Sequence, residues 1–226
     1  MQHLCRMNWI QQLRTAGMAV VGLALMSVQL SAQTGEELLR TLSDKAKTYE
    51  TVLATYTSTL TDKVADFEAV QDGTIRISGD KYHLDLGDYV VISNGASVWT
   101  YDVGMHECMV DDAEELAADG MDPAKLFTIW EDDFKTEDKG VTDVNGKAVR
   151  QINLYPTSAD AQAFHTIVLY IDEAALQMVR AVVKGREGTD VTYDVKSFSP
   201  GAIINPAVFS FKEADFPGVT VIDNRL

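Results

Sequence analysis

Asp72 to Glu107 reads DGTIRISGDKYHLDLGDYVVISNGASVWTYDVGMHE. Short alternating segments are separated by Asp72-Gly73, Gly79-Asp80, Gly87-Asp88 and Asn94-Gly95. Each pair stands where a hairpin needs a residue with positive φ. Between the pairs, Tyr82, Leu84 and Leu86 face one way and His83 and Asp85 the other, because strand side chains alternate. The run predicts a curled antiparallel sheet with one apolar face. It leaves no room for a nucleotide-binding loop or a catalytic helix.

The same patterning extends in both directions. Glu36 to Tyr49 predicts a helix, with Leu38, Leu39, Leu42, Ala46 and Tyr49 at helical spacing. Thr34 and Glu37 fit a capping box at its start. Thr51 to Thr61 is rich in Thr and Val and predicts the first strand, and Phe67 to Ile77 the second. The acidic segment Asp111 to Asp119 reads as a solvated loop or a short helical turn. Asp122 and Pro123 fit the cap and first position of a helix over Pro123 to Trp130. That helix is apolar on nearly all sides and is a candidate lid. Asn145-Gly146 joins predicted strands Thr136 to Val144 and Lys147 to Tyr155. Further strands are expected over Ala163 to Ile171, Met178 to Lys184 and Val191 to Phe198, with a last segment at Asn205 to Phe211. The class is mainly β (α+β), with roughly eleven strands and two substantial helices.

The N-terminus has the form of an export signal. Arg6 and Arg14 supply positive charge, Ala16 to Val28 forms an apolar core, and Leu30-Ser31-Ala32 ends in a small residue. A cut between Ala32 and Gln33 is expected, leaving 1–32 as signal peptide and 33–226 as one domain in the periplasm. The apolar run is shorter than the ~20 residues a spanning helix needs. The formal charge of the whole chain is −15. Losing the leader removes two arginines and no acid, so the mature chain is more acidic still. Repulsion then opposes binding to nucleic acid or anionic headgroups. Cys108 is alone in the mature chain, so an internal disulfide is excluded. His106 lies two residues away on what reads as the same strand face, but no third orienting group completes a thiol nucleophile.

Signals of other reaction chemistry are missing from the pattern. His83, His106 and His165 have no compact metal-ligand spacing, and no GxSxG elbow or glycine-rich phosphate loop occurs. Acidic pairs such as Asp111-Asp112 and Asp132-Asp133 read as surface charge. The chain therefore reads as a non-enzyme. The apolar inventory is more informative. Tyr82, Leu84, Leu86, Val91, Trp99, Tyr101, Leu126, Phe127, Trp130 and Leu169 occupy alternating or lid positions and form the candidate ligand pocket, with Phe134 and Ile171 nearby. An ordinary packed core would explain any one of them. Two helices, however, cover less than the concave area of such a sheet, and the unfilled apolar space suits hydrocarbon chains, at about 0.8 kcal/mol per buried CH₂.

Four motifs in order carry a family resemblance: GTIRISGDKYHLDL, VVISNGASVWTYD, MDPAKLFTIWEDDF and FSFKEADFPGVTVIDNRL. With the central Trp99 and Tyr101 and the closing Asp223-x-Arg225, they resemble the LolA periplasmic lipoprotein carriers in the form typical of Bacteroidetes. The resemblance runs through most of the mature chain. It implies an unclosed antiparallel β-barrel with a helical lid, whose interior holds the acyl chains of lipoproteins without cofactor or covalent chemistry. It further implies loading by an inner-membrane ABC transporter of the lipoprotein-sorting type and delivery to an outer-membrane acceptor that the sequence does not name. A monomer is expected. Many relatives carry an Arg-Pro pair after the second strand. Gly79-Asp80 stand there instead, and Arg76 should point outward if Ile75 and Ile77 point inward. The alternative is a lipid- or lipoprotein-binding sensor or storage protein of the same fold. Sensor relatives carry an extra C-terminal domain, whereas this chain stops directly after the Asp-x-Arg strand, which favours the carrier.

Overall fold

Alternating segments assemble into one 12-stranded sheet in the computed structural model, which describes residues 34–119, 124, 128–131, 134–158 and 163–225. One meander comprises β1 (Val52–Asp62), β2 (Phe67–Ser78), β3 (Lys81–Asp85), β4 (Tyr89–Ser93), β5 (Ser97–Asp102) and β6 (Glu107–Asp112). A second comprises β7 (Phe134–Val144), β8 (Lys147–Pro156), β9 (Phe164–Asp172), β10 (Gln177–Gly185) and β11 (Thr189–Pro200). Antiparallel pairing of β1 with β11 joins them. β12 (Thr220–Asp223) adds to β6 in parallel, so β12 and β7 form the two free edges and the barrel stays unclosed. The short β12 takes the strand number one past the expected eleven. It is held by Asn224 Nδ2 donating to Asp111 Oδ1 (2.8 Å) and Arg225 Nη1 donating to Ser97 Oγ (2.9 Å). Arg225 also pairs with Asp223, whose carboxyl it holds down at about 2.

Gly79, Gly87 and Gly95 adopt positive φ at the expected turns, and Asn145 and Gly146 do so together (56° and 81°), the type I′ requirement. Asp72-Gly73 is a correction. It lies inside β2, paired with Thr57 and Tyr56. Asn205 to Phe211 is another. Asn205 caps Ala207 N, and Pro206–Phe209 forms a 3-10 turn rather than a strand. Pro at the first helical position and an Asn cap outweigh the alternation of Phe209 and Phe211.

Helix α1 (Gly35–Ala46) has the predicted capping box between Thr34 and Glu37. The segment after β6 forms α2 (Ala113–Asp119). The lid helix expected over Pro123 to Trp130 falls largely outside the described residues, and Ile129–Glu131 forms a 3-10 turn. The expected leader, 1–32, also lies outside them. Among the described residues no helix is long and apolar enough to cross a membrane.

Two apolar clusters occupy the inner face of the sheet. In the first, Leu38, Leu39 and Leu42 of α1 pack with Trp130 on residues of β8 to β10 such as Ile152, Leu154 and Leu169. In the second, Val52, Ala54, Tyr56, Ile75, Ile77, Tyr82 and Val98 of β1 to β5 pack together. The outer face of β3 to β6 is buried too. Ile92, Tyr101, Cys108 and Val110 are all buried there together with Phe209, and the Pro206–Phe209 turn packs against β3 and β4.

Candidate functional site

A cavity of about 320 Å³ opens between the two inner clusters. One wall is Leu42, Ala46 and Tyr49 at the C-terminal end of α1, with Ile129 and Trp130. The sheet supplies the rest, from Ile75 and Leu84 through Ala54 and Tyr56 to Tyr193, Ala181 and Leu169. None of the described lining residues is charged. The strand register explains this. Ala54 pairs with Ile75, Ile75 with Leu84, and Leu169 with Ala181, which pairs with Tyr193. Every one of these faces the same side, and charges such as Arg76, Asp85 and Asp194 alternate to the other.

The polar groups in the walls stay neutral. Burial pushes the Tyr56 phenol well above its ordinary value, with smaller contributions from Tyr193 and Asp85, and burial alone raises that of Tyr193. Their rings meet edge-on at 5.8 Å, as do those of Tyr49 and Phe198. Trp130 ties the cover to α1. Its Nε1–H donates to Ser43 Oγ (2.7 Å) and to the Leu39 carbonyl (3.1 Å). Ser43, itself fully buried, in turn lowers the Glu131 carboxyl, after the larger effect of Lys47 at 2.5 Å.

Of the residues singled out in the sequence, Leu84, Trp130 and Leu169 line the cavity. Tyr82, Leu86 and Val91 share its face but pack in or against the second cluster. Trp99 and Tyr101 are a correction. Trp99 pairs with Ile92 and Tyr101 with Val90, whereas inward-facing Val91 pairs with Thr100. Both aromatics therefore point to the outer face, where Tyr101 lies 4.7 Å from the Phe216 ring. Leu126 and Phe127 lie outside the described residues. The contributions of α1, Tyr56 and β11 were missed as site residues, although the apolar stripe of α1 and the alternation of Val191, Tyr193 and Val195 were available as signals.

Cys108 and His106 do not form a pair. His106 sits in the turn before β6 at φ 59°, not on the strand. Its Nε2–H donates to the Pro217 carbonyl (3.0 Å), and its Nδ1 accepts from the Tyr101 hydroxyl (2.7 Å). Burial, with help from Glu213, pushes the Cys108 thiol up to about 11, away from the thiolate that nucleophilic chemistry needs.

The family described as "Outer membrane lipoprotein carrier protein LolA" matches residues 87–212. That stretch runs from the β3–β4 turn to just past the Pro206–Phe209 turn. Among solved structures, an uncharacterized conserved protein from Thermus thermophilus is 10% identical with a TM-score of 0.52, covering 84% of this chain and 98% of that one. A LolA superfamily protein from Nitrosomonas europaea is 7% identical with a TM-score of 0.43, covering 80% and 99%. LprF from Mycobacterium bovis is 14% identical with a TM-score of 0.44, covering 76% and 96%. The Thermus likeness concerns the fold alone. A search of curated proteins finds no matching sequence.

Proposed function

We propose that this chain, which belongs to the LolA family of outer membrane lipoprotein carriers, holds the acyl chains of lipoproteins in its cavity and moves them through the periplasm from the inner to the outer membrane. Family membership supports a lipid- or lipoprotein-binding role. The observation that carries the finer reading is the cavity between two inner clusters, lined by apolar side chains, neutral phenols and the uncharged amide of Gln177. A charged headgroup gains nothing there, whereas each methylene buried contributes about 0.8 kcal/mol. Leu84, Trp130 and Leu169 supply part of that contact. Carriage asks for reversible burial, and no step needs a cofactor.

In this reading residues 33–226 work as a monomer after the leader is removed. An inner-membrane ABC transporter loads the cargo, and an outer-membrane acceptor takes it. The cover formed by α1 and the Trp130 turn shifts to admit the chains. Native mass spectrometry of protein drawn from the periplasm tests the proposal. Co-purifying triacylated polypeptide, on a chain beginning at Gln33, is the expected result. Free lipid alone would replace the carrier with a lipid-storage or sensing role, and full-length protein held in the membrane fraction would remove the periplasmic step.

A further inference from the structure

On the side of the β1–β2 hairpin the cavity's lining ends at Tyr56, Tyr193 and Val183.

The sheet continues the apolar surface in one direction. Ile167 pairs with Val183, Val183 with Val191, Val191 with Leu60, and Leu60 with Ala69. These five side chains form one rung across β9, β10, β11, β1 and β2. Ile167 and Val183 line the cavity. Burial then falls along the rung, from Ile167 at 3% exposure through half-buried Val183, Val191 and Leu60 to exposed Ala69. The same gradient runs along β2, whose inward positions pass from buried Ile75 and Gly73 through Gln71 to Ala69 and Phe67, the last 55% exposed. The outer half of β2 extends beyond β3, whose pairing with β2 starts at Thr74. Both gradients lead from the cavity to the hairpin between β1 and β2.

We propose that Val191, Leu60 and Ala69, with Phe67 beyond them, form a second, open segment of the acyl-chain site. The chain's terminal carbons fill the cavity, and its head-proximal carbons lie along this track. The proposal rests on the acyl-binding reading and adds to it a path and a length dependence. The occupant is the same chain that fills the cavity, because the rung is continuous with the cavity wall through Ile167 and Val183.

Calorimetric titration with octanoyl, decanoyl, myristoyl and palmitoyl lysophosphatidylcholine, below micelle formation, tests it. The zwitterionic head avoids repulsion from this acidic protein. Full burial of a methylene is worth about fourfold in affinity, and contact on one side about twofold. The step from decanoyl to palmitoyl then strengthens binding by roughly fiftyfold in the unaltered protein. In Leu60→Asp that gain should disappear while octanoyl and decanoyl bind as before. Ala69→Asp should reduce the gain likewise, and because Ala69 is exposed that substitution leaves the packing intact. A palmitoyl gain undiminished in both variants, or no gain past decanoyl in the unaltered protein, overturns the track and leaves the cavity reading standing. Failure of every chain length to bind overturns the acyl-binding reading itself, and the track with it.

Discussion

At Gly73 the site depends on a missing methyl group. A Cβ built there would lie 2.4 Å from Tyr56 Cζ and 2.6 Å from Cε2 and the hydroxyl oxygen. The Tyr56 ring therefore lies flat over β2 and forms cavity wall instead of filling the cavity. In Gly73→Ala the ring end must swing away, and the open direction is the cavity. Overpacking costs about 1–3 kcal/mol, and a ring that can rotate should keep the loss near the lower end. Acyl binding should suffer more, by about tenfold, because the ring then takes space worth about two methylenes. Urea unfolding and lysolipid titration on the same variant separate the two effects. Tyr56→Leu in the same chain should restore most of the binding, since the clash then has no ring to move. Loss of stability without loss of binding would mean that the ring moves elsewhere.

At the scale of elements, β3 is packed on both faces, and this gives the fold a pH dependence. Tyr82 and Leu84 face inward, while His83 faces outward, near the Pro206–Phe209 turn that packs on β3. Arg76 Nη1 on the neighbouring strand approaches His83 Nδ1 at 3.5 Å. Burial holds the imidazole below its ordinary 6.5, Arg76 lowers it further, and Asp85 opposes both. The unfolded chain then takes up a proton before the folded one does. Stability is complete above 6.5, falls as pH drops through the window below it, and stops falling from this group once folded His83 is itself protonated. The urea midpoint should decline from about pH 7.5 to about pH 5.5, and His83→Gln should flatten the decline. An equal decline in the variant would assign it to other groups. The same strand marks what was legible in the sequence. Alternation correctly told which residues share a face, and glycines at positive φ located the hairpins at Gly79, Gly87 and Gly95. Alternation does not tell which face is inside when both are buried, so Trp99 and Tyr101 read as pocket residues although both point to the outer face, where Tyr101 meets Phe211 and Phe216. Nor does a glycine reveal whether it serves a turn or a close approach, which is why Gly73 read as a turn. The cavity wall from α1 escaped because an amphipathic stripe predicts burial, not which part of it is left facing an empty space.

For the whole molecule, the cavity lies between two clusters that share one sheet but, among the described residues, no side chain. Leu38, Ile152 and Ile171 belong to one, and Val52, Ile77 and Tyr82 to the other. Between them, Leu42 and Leu169 on one side face Ala54 and Ile75 on the other across space that a ligand would fill. An acyl chain in that space contacts both clusters and neither outer edge. A ligand that binds only the folded state stabilises it by about 2.7 kcal/mol at a hundredfold excess over its Kd. For a domain of this size that raises the melting temperature by roughly 5–10 °C. The location of the gain is the sharper test. Amides of α1 and of β1 and β2 around Ala54 and Ile75 should both slow their hydrogen exchange with decanoyl lysolipid bound, because a chain between the clusters couples them. Amides of β12 and β6, tied at the far edge by Arg225 and Asn224, should change less. If the cover of α1 and the Trp130 turn gates entry, α1 should show the largest difference of all, since its opening exposes Leu42 and Trp130 together. Protection confined to β1 and β2 would make α1 a fixed plug. Protection confined to α1 would place the ligand outside the space between the clusters.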